Sequence, residues 1–246
     1  ASGIEDVLII TNRGKGAIED HFDHAFELEA KLEGNESKKK IYDDVMQCSN
    51  FGNIYFIRQK ETKGLGHAVL CAKSFVGDEP FAVLYGDDVI LSETPVTKQL
   101  CDAYEKYGKG AVGVKEVPGM AITKYCSLAV DELEGNCYNC TDMIEKPSEE
   151  EILSNFSILG RVVMPPEIFD ILEETPLGAG NELQLTDAMK TLAQTKGVVA
   201  VDYEGTRYDM GNKFGILQAN IEVGLKHPET KDELKAYLKE IAKDLD

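Results

Sequence analysis

Short, continuously apolar runs alternate with amphipathic stretches along this chain. Val7-Leu8-Ile9-Ile10, inside residues 5–11, is apolar at every position, as in a strand covered on both faces. Mostly apolar segments at 54–57, 81–85, 111–117, Phe156–Met164 and Val198–Asp202 each predict a further strand. Between them the spacing turns helical. Ile18, Phe22 and Phe26, followed by Leu28 and Leu32, predict one amphipathic helix over 17–32, and residues 36–48 a second, more polar one. Further helices are expected from the Gly64 turn to Ser74, over 94–107, after Pro165-Pro166, over 182–194 and 213–225, and in a charged terminal segment, 232–245. Residues 125–146 break the alternation and read as two antiparallel strands about a Gly135-Asn136 turn. The pattern as a whole predicts a three-layer α/β sandwich around a mostly parallel sheet. With 246 residues and no internal repeat or low-complexity linker, one domain over 1–246 is expected, with a helical C-terminal extension from about residue 213.

Charge narrows the function. The net charge is −18, from 44 acidic and 26 basic residues, which argues against nucleic acid as a partner because phosphate backbones demand basic surface. An anionic substrate would need local Lys or Arg and a divalent metal. No apolar run approaches 18 residues and no signal segment is visible, so a cytoplasmic protein without a membrane partner is expected. The cysteines lie at 48, 71, 101, 126, 137 and 140. Cys71 and Cys101 fall in apolar helical settings and read as reduced near-core residues. Cys137-x-x-Cys140 lacks the second ligand pair that a closed zinc site wants. His21 and His24, three apart on the first predicted helix, read as solvated surface.

Four short runs carry candidate chemistry. In Lys63-Gly64-Leu65-Gly66-His67-Ala68, a strand leads through a Gly-x-Gly turn into a helix. Small residues there let a flat ligand approach the backbone, and the first helical N–H groups are unpaired. Alone, that pattern is an ordinary tight turn. The strand ending in Tyr85-Gly86-Asp87-Asp88 places carboxylates where ligands bind in open sheets, beyond the strand's carboxyl end. Tyr208-Asp209-Met210-Gly211-Asn212-Lys213 offers a carboxylate, a turn glycine and a cation at a helix start. Met143-Ile144-Glu145-Lys146-Pro147 ends a strand in adjacent opposite charges, which a surface ion pair would also explain. No Ser/His/Asp or Cys/His constellation is visible.

Taken in order, these runs resemble the bacterial UTP–glucose-1-phosphate uridylyltransferases. The resemblance also rests on Ile18-Glu19-Asp20-His21-Phe22-Asp23, Val76-Gly77-Asp78-Glu79-Pro80-Phe81 and the run from Gly178-Ala179-Gly180-Asn181-Glu182 through Leu183-Gln184-Leu185-Thr186-Asp187-Ala188. It extends from Gly3 to about Leu238. It implies the nucleotide-diphospho-sugar transferase fold, a Rossmann-like sandwich. It implies formation of UDP-glucose and pyrophosphate from UTP and glucose 1-phosphate with Mg²⁺, in a homo-oligomer. Carried over position by position, Asp87 and Asp209 hold the metal, with Asp88 the lesser member of its pair. Gln59, which offers a donor and an acceptor, contacts the uracil edge, and Gly64 and Gly66 lie against the base. Glu145 binds sugar hydroxyls, Lys146 binds the sugar phosphate, and Lys213 helps to neutralise phosphate. The 178–188 run shapes the sugar pocket or subunit contacts.

Two departures stand out. Family members open with a strand, a Gly-x-Gly-Thr-Arg loop and a Pro-Lys-Glu segment, about 30 residues, whereas this chain opens at Ala1-Ser2-Gly3. The resemblance therefore implies a chain that is inactive by itself, with Val7–Ile10 and Val83–Leu84 flanking a gap and prone to associate. A fragment serving as an assembly subunit, or a nucleotidyltransferase for another sugar or for dTTP, are the alternative readings. Second, several relatives carry Tyr-Gly where this chain has Tyr125-Cys126-Ser127, so Cys126 or Ser127 is expected to narrow the approach to the sugar.

Overall fold

The computed structural model describes residues 1–49 and 52–244; Leu245, the expected end of the last helix, lies outside them. The elements in chain order are β1 (Asp6–Thr11), α1 (Gly16–Phe22), α2 (Phe26–Leu32), α3 (Lys39–Ser49), β2 (Asn53–Arg58), α4 (Leu65–Leu70), α5 (Lys73–Val76) and β3 (Phe81–Leu84). They continue with β4 (Asp88–Leu91), α6 (Val96–Tyr107), β5 (Gly110–Glu116), β6 (Cys126–Glu134), β7 (Cys137–Glu145), β8 (Phe156–Met164) and α7 (Ile168–Glu174). The last are α8 (Leu185–Thr195), β9 (Val198–Asp202), β10 (Thr206–Asp209), α9 (Lys213–Gly224) and α10 (Lys231–Ile241).

Six strands form one sheet in the order β3-β8-β5-β9-β7-β6. The α/β class is as expected, but the sheet is mixed rather than mostly parallel. Only β5 and β9 pair in parallel within it, because β8 runs against both its neighbours and β7 against both of its own. An all-apolar run reports burial on both faces, and either strand direction satisfies that. β1 and β2 form a separate parallel pair, and β4 and β10 a separate antiparallel one. Among the described residues, β1 pairs only with β2 and β3 only with β8, and Leu84 at the end of β3 is exposed.

Period-two alternation sorts the strand residues into two cores. Val112, Val162, Val198 and Ala200 face a core that α7 and α8 close with Phe169, Leu172, Met189 and Leu192. Their neighbours Ala111, Val163, Val199 and Val201 face the other core, beneath Leu100 and Ala103 of α6. Each fully buried Val, Leu or Phe contributes about 1.5–3 kcal/mol, and helices on both faces complete the three layers.

Three local expectations change. The single helix over 17–32 is two, because Asp23 turns to extended backbone (ψ 160°) and the chain restarts at Phe26. Asp and His are weak helix formers, and Asp23-His24 interrupt the apolar stripe. The helix expected after Gly64 is likewise split, into α4 and α5. β4 and β10 were not anticipated: each has only four residues, and the Thr-Arg-Tyr-Asp of β10 lacks an apolar face.

Candidate active site

The short β4–β10 ribbon builds the acidic end of the site. Its register sets Asp209 opposite Asp88, and the Met210 N–H donates to the Asp87 carbonyl at 2.7 Å. This backbone clamp brings the side chain of Asp87, just before β4, towards that of Asp209, at the end of β10. Asp87 Oδ2 and Asp209 Oδ1 each lie 3.1 Å from the point a Cβ on Gly211 would occupy. Two carboxylates thus converge on one patch, which a side chain at position 211 would obstruct.

Asp88, the first residue of β4, directs its carboxylate at Arg207. It is 5 % exposed and accepts from Arg207 Nε at 2.5 Å. Burial pushes its carboxyl up, against the pull of Arg207. Arg207 also reaches Asp209, with Nη2 3.7 Å from Oδ2, and its guanidinium lies 5.5 Å from the centre of the Tyr125 ring. The Tyr125 hydroxyl donates to Asp209 Oδ2 at 3.1 Å, and the Gly211 N–H donates to Oδ1 at 2.9 Å. Partial burial works to raise Asp209, but the hydrogen bonds from Asn212, Tyr125 and Gly211, with the Arg207 charge, outweigh it. Its carboxyl therefore sits below its ordinary value. Arg161 clamps the same turn from β8, donating to the carbonyls of Tyr85, Gly160 and Asp88.

Across a cleft of about 200 Å³, Glu145 ends β7. Its carboxylate accepts from the Thr186 hydroxyl at 2.9 Å, at the first turn of α8. Asp87, Tyr125, Glu145, Thr186, Arg207 and Asp209 all line the cleft. Cys126 lines it too, and burial pushes its thiol up to about 11, so it stays protonated and inert at neutral pH. Ser127 does not line it. Its hydroxyl donates to the Ser154 carbonyl at 2.6 Å and accepts from the Leu153 and Ser154 N–H groups. Of the two residues expected to narrow the approach, only Cys126 is placed to do so.

Lys146 follows Glu145 in a left-handed conformation (φ 47°), and its N–H donates to the Tyr125 carbonyl at 2.8 Å. Its side chain is exposed, as is that of Lys213 at the start of α9, and neither lines the cleft. Asn212 caps α9 by accepting from the Gly215 N–H at 2.7 Å, which fixes the turn between Asp209 and Lys213.

The Gly64 turn docks on residues 182–184. The Gly66 N–H donates to the Leu183 carbonyl at 2.9 Å, and the Leu183 N–H to the Lys63 carbonyl at 2.8 Å. A Cβ on either Gly64 or Gly66 would stand 2.7 Å from the Leu183 oxygen, and Gly64 has φ 94°. The space that a side chain would take is filled by chain, so packing demands glycine here whether or not a ligand lies against the turn. Gly66→Ala is expected to destabilise the protein by about 1–3 kcal/mol, measured as a lower urea midpoint at unchanged slope. A midpoint equal to wild type would mean that the turn repacks without strain.

Arg207, Tyr125 and Thr186 complete the site; Thr186 falls within the 178–188 run and Tyr125 beside the Cys126-Ser127 departure, neither with an atom-level role read from sequence. Arg207 had no motif to mark it. Two carboxylate oxygens converging beside the cleft suit a hard divalent cation, which Mg²⁺ sites usually complete with water and substrate phosphates. Among the described residues no group of three or more His, Cys, Asp or Glu gathers to hold a metal, Cys137 and Cys140 included. None of the helices there is long and apolar enough to cross a membrane.

The nucleotidyl transferase family model matches residues 1–224. The chain is 47 % identical over 240 residues to the UTP–glucose-1-phosphate uridylyltransferase of Staphylococcus epidermidis, covering 98 % of this chain and 83 % of that protein. It is 46 % identical over 237 residues to the enzyme of the same name from Bacillus subtilis, covering 96 % and 81 %. Among solved structures it is similar to a UDP-glucose pyrophosphorylase complexed with UDP-glucose, with a TM-score of 0.83, 35 % identity and coverage of 92 % and 83 %. It is also similar to the UTP-bound UGPase from Acinetobacter baumannii, with a TM-score of 0.84, 33 % identity and coverage of 97 % and 84 %. The chain belongs to the nucleotidyl transferase family and, within it, to the UTP–glucose-1-phosphate uridylyltransferases.

Proposed function

We propose that the protein transfers the uridylyl group of UTP to glucose 1-phosphate in the cleft between Asp87, Asp209 and Glu145. The observation that carries this reading is the convergence of the Asp87 and Asp209 carboxylates near Gly211, across one cleft from the Glu145–Thr186 pair, in a chain with these relatives. A phosphate oxygen of the sugar attacks the α-phosphorus of UTP. The bond to the bridging oxygen breaks, and pyrophosphate leaves with the electron pair.

Such a transfer needs positioning and charge neutralisation rather than a covalent nucleophile. A divalent metal, Mg²⁺ in this reading, is held by Asp87 and Asp209 and supplies charge for the triphosphate. Gln59 binds the base, with the Gly64–Gly66 turn beside it. Glu145, aligned by Thr186, accepts from sugar hydroxyls. Lys146 binds the sugar phosphate, and Lys213 adds positive charge once substrate draws it in. One catalytic domain with α9 and α10 as its C-terminal extension, a cytoplasmic location and a homo-oligomer complete the proposal. The oligomer is supported by the apolar residues Phe214, Leu217 and Ile221, which α9 leaves exposed. Light scattering checks it.

The test is pyrophosphate release by the protein that carries this chain. Release should require UTP, glucose 1-phosphate and Mg²⁺ together, and release without the sugar phosphate would refute the reading. Gln59→Ala is expected to weaken UTP use by about 1–3 kcal/mol, seen as a raised KM for UTP at an almost unchanged KM for glucose 1-phosphate. An unaltered KM and turnover for UTP would remove Gln59 from the site.

A further inference from the structure

The amide of Gln59 is oriented by its surroundings. Its Nε2 lies 3.1 Å from the Gly64 carbonyl oxygen and 2.9 Å from His67 Nδ1. A carbonyl oxygen only accepts, so the amide atom facing it is the NH₂ nitrogen and not Oε1. One Nε2 hydrogen goes to Gly64, and the other is directed at His67. Nδ1 is then the acceptor nitrogen of a neutral ring, whose own N–H sits on Nε2. Both donors of the Gln59 amide are spent within the protein. Gln59 therefore has only the acceptor Oε1 left to offer a ligand, which narrows the sequence reading of a donor and an acceptor.

We infer that His67 is a specificity-determining positioning residue: by accepting from Gln59 it leaves Oε1 as the only group that can face a base. An outward-facing acceptor pairs with a pyrimidine whose ring N3 carries hydrogen, as in uracil and thymine. It meets the lone pair of cytosine N3 unfavourably. His67 need not touch the nucleotide to exert this effect. Without it, one Nε2 hydrogen is released and only the Gly64 bond restrains the amide, so a donor becomes available to cytosine. Gly64 and His67 lie on either side of the first turn of α4, so the turn that docks on Leu183 also fixes this amide. The inference rests on the reading of Gln59 as the residue that binds the base.

The experiment compares UTP and CTP as substrates at saturating glucose 1-phosphate. His67→Leu should raise the KM for UTP about three- to tenfold and lower the UTP-to-CTP preference by a similar factor. The turnover number and the KM for glucose 1-phosphate should stay within about twofold of wild type. His67→Asn, whose side-chain oxygen stands near the position of Nδ1, should restore most of the preference. Gln59→Ala separates the two ideas. If it retains the preference for UTP, the base-binding reading fails. If it loses the preference while His67→Leu keeps it, the role of His67 is overturned. Should His67→Leu fail to fold, the nitrogen chemical shifts of His67 in the wild-type protein decide. The hydrogen is expected on Nε2, and a hydrogen on Nδ1 of the neutral ring would overturn the inference.

Discussion

Asp87→Asn and Asp209→Asn should each lower turnover by about 10²–10⁴-fold while leaving a folded protein. Each change removes a charge from the patch near Gly211 where the two carboxylates converge, and keeps the side-chain shape. Asp87 is exposed, so nothing in the core depends on its charge. Asp209 is more embedded, but the amide oxygen of Asn can keep the bond from the Gly211 N–H while its NH₂ donates to the Tyr125 hydroxyl, which can accept as well as donate. Asp88→Asn should cost less activity, because the Asp88 carboxylate, although it also lines the cleft, is already engaged by Arg207. Steady-state rates of pyrophosphate release at saturating substrates measure the order, with melting curves to show that each variant is folded. Binding of Mn²⁺ without nucleotide, followed by its spin-resonance signal, should weaken in the Asp87 and Asp209 variants alone. If Asp88→Asn proved the most damaging to turnover in a stably folded protein, the division of roles within the Asp87-Asp88 pair would be wrong.

The sequence exposed some parts of this molecule more than others. Strands such as Phe156–Met164 and Val198–Asp202 have the predicted bounds, because a largely apolar segment needs burial and the core supplies it. Strand direction carries no such mark away from a tight turn: the Gly135-Asn136 turn marks β6 and β7 as antiparallel, but the antiparallel pairing of β8 with β5 and of β7 with β9 was not expected. The site followed the same division. Asp87 and Glu145 follow apolar residues at strand ends, and Asp209 sits two residues before a turn glycine at a helix start, where a carboxylate is conspicuous. Thr186 and Arg207 do not stand out in this way. Thr186 belongs to the 178–188 run, but its bond to Glu145 depends on α8 packing along β7, which no local pattern marks. Arg207 lies in a four-residue strand that forms only by pairing with β4. The Gly-x-Gly turn was visible as glycine, but the demand for glycine comes from a chain segment more than a hundred residues away.

Arg207→Met should destabilise the protein by about 3–5 kcal/mol, as large a stability change as any single replacement at this site is expected to give. The argument starts from Asp88, which is 5 % exposed and has the guanidinium Nε 2.5 Å from its Oδ1. The charges of Asp87 and Asp209 lie nearby and both act to raise its carboxyl. Removing the guanidinium leaves a buried carboxylate beside two like charges without its hydrogen-bonded partner; the remaining cation, Arg161, is engaged with the backbone carbonyls of Tyr85, Gly160 and Asp88. At roughly 2–4 °C per kcal/mol for a domain of this size, the melting temperature should fall by about 6–20 °C. Adding Asp88→Asn to the same protein removes the stranded charge and should recover much of the loss, so the two changes are strongly non-additive. Arg207→Lys should fall between wild type and Met, since an ammonium keeps the charge but loses the planar face that lies over Tyr125. A double-mutant cycle by thermal melting measures all of these. Additive losses, or an Arg207→Met protein that melts within about 2 °C of wild type, would mean that the pair is solvated and that Asp88 does not depend on Arg207.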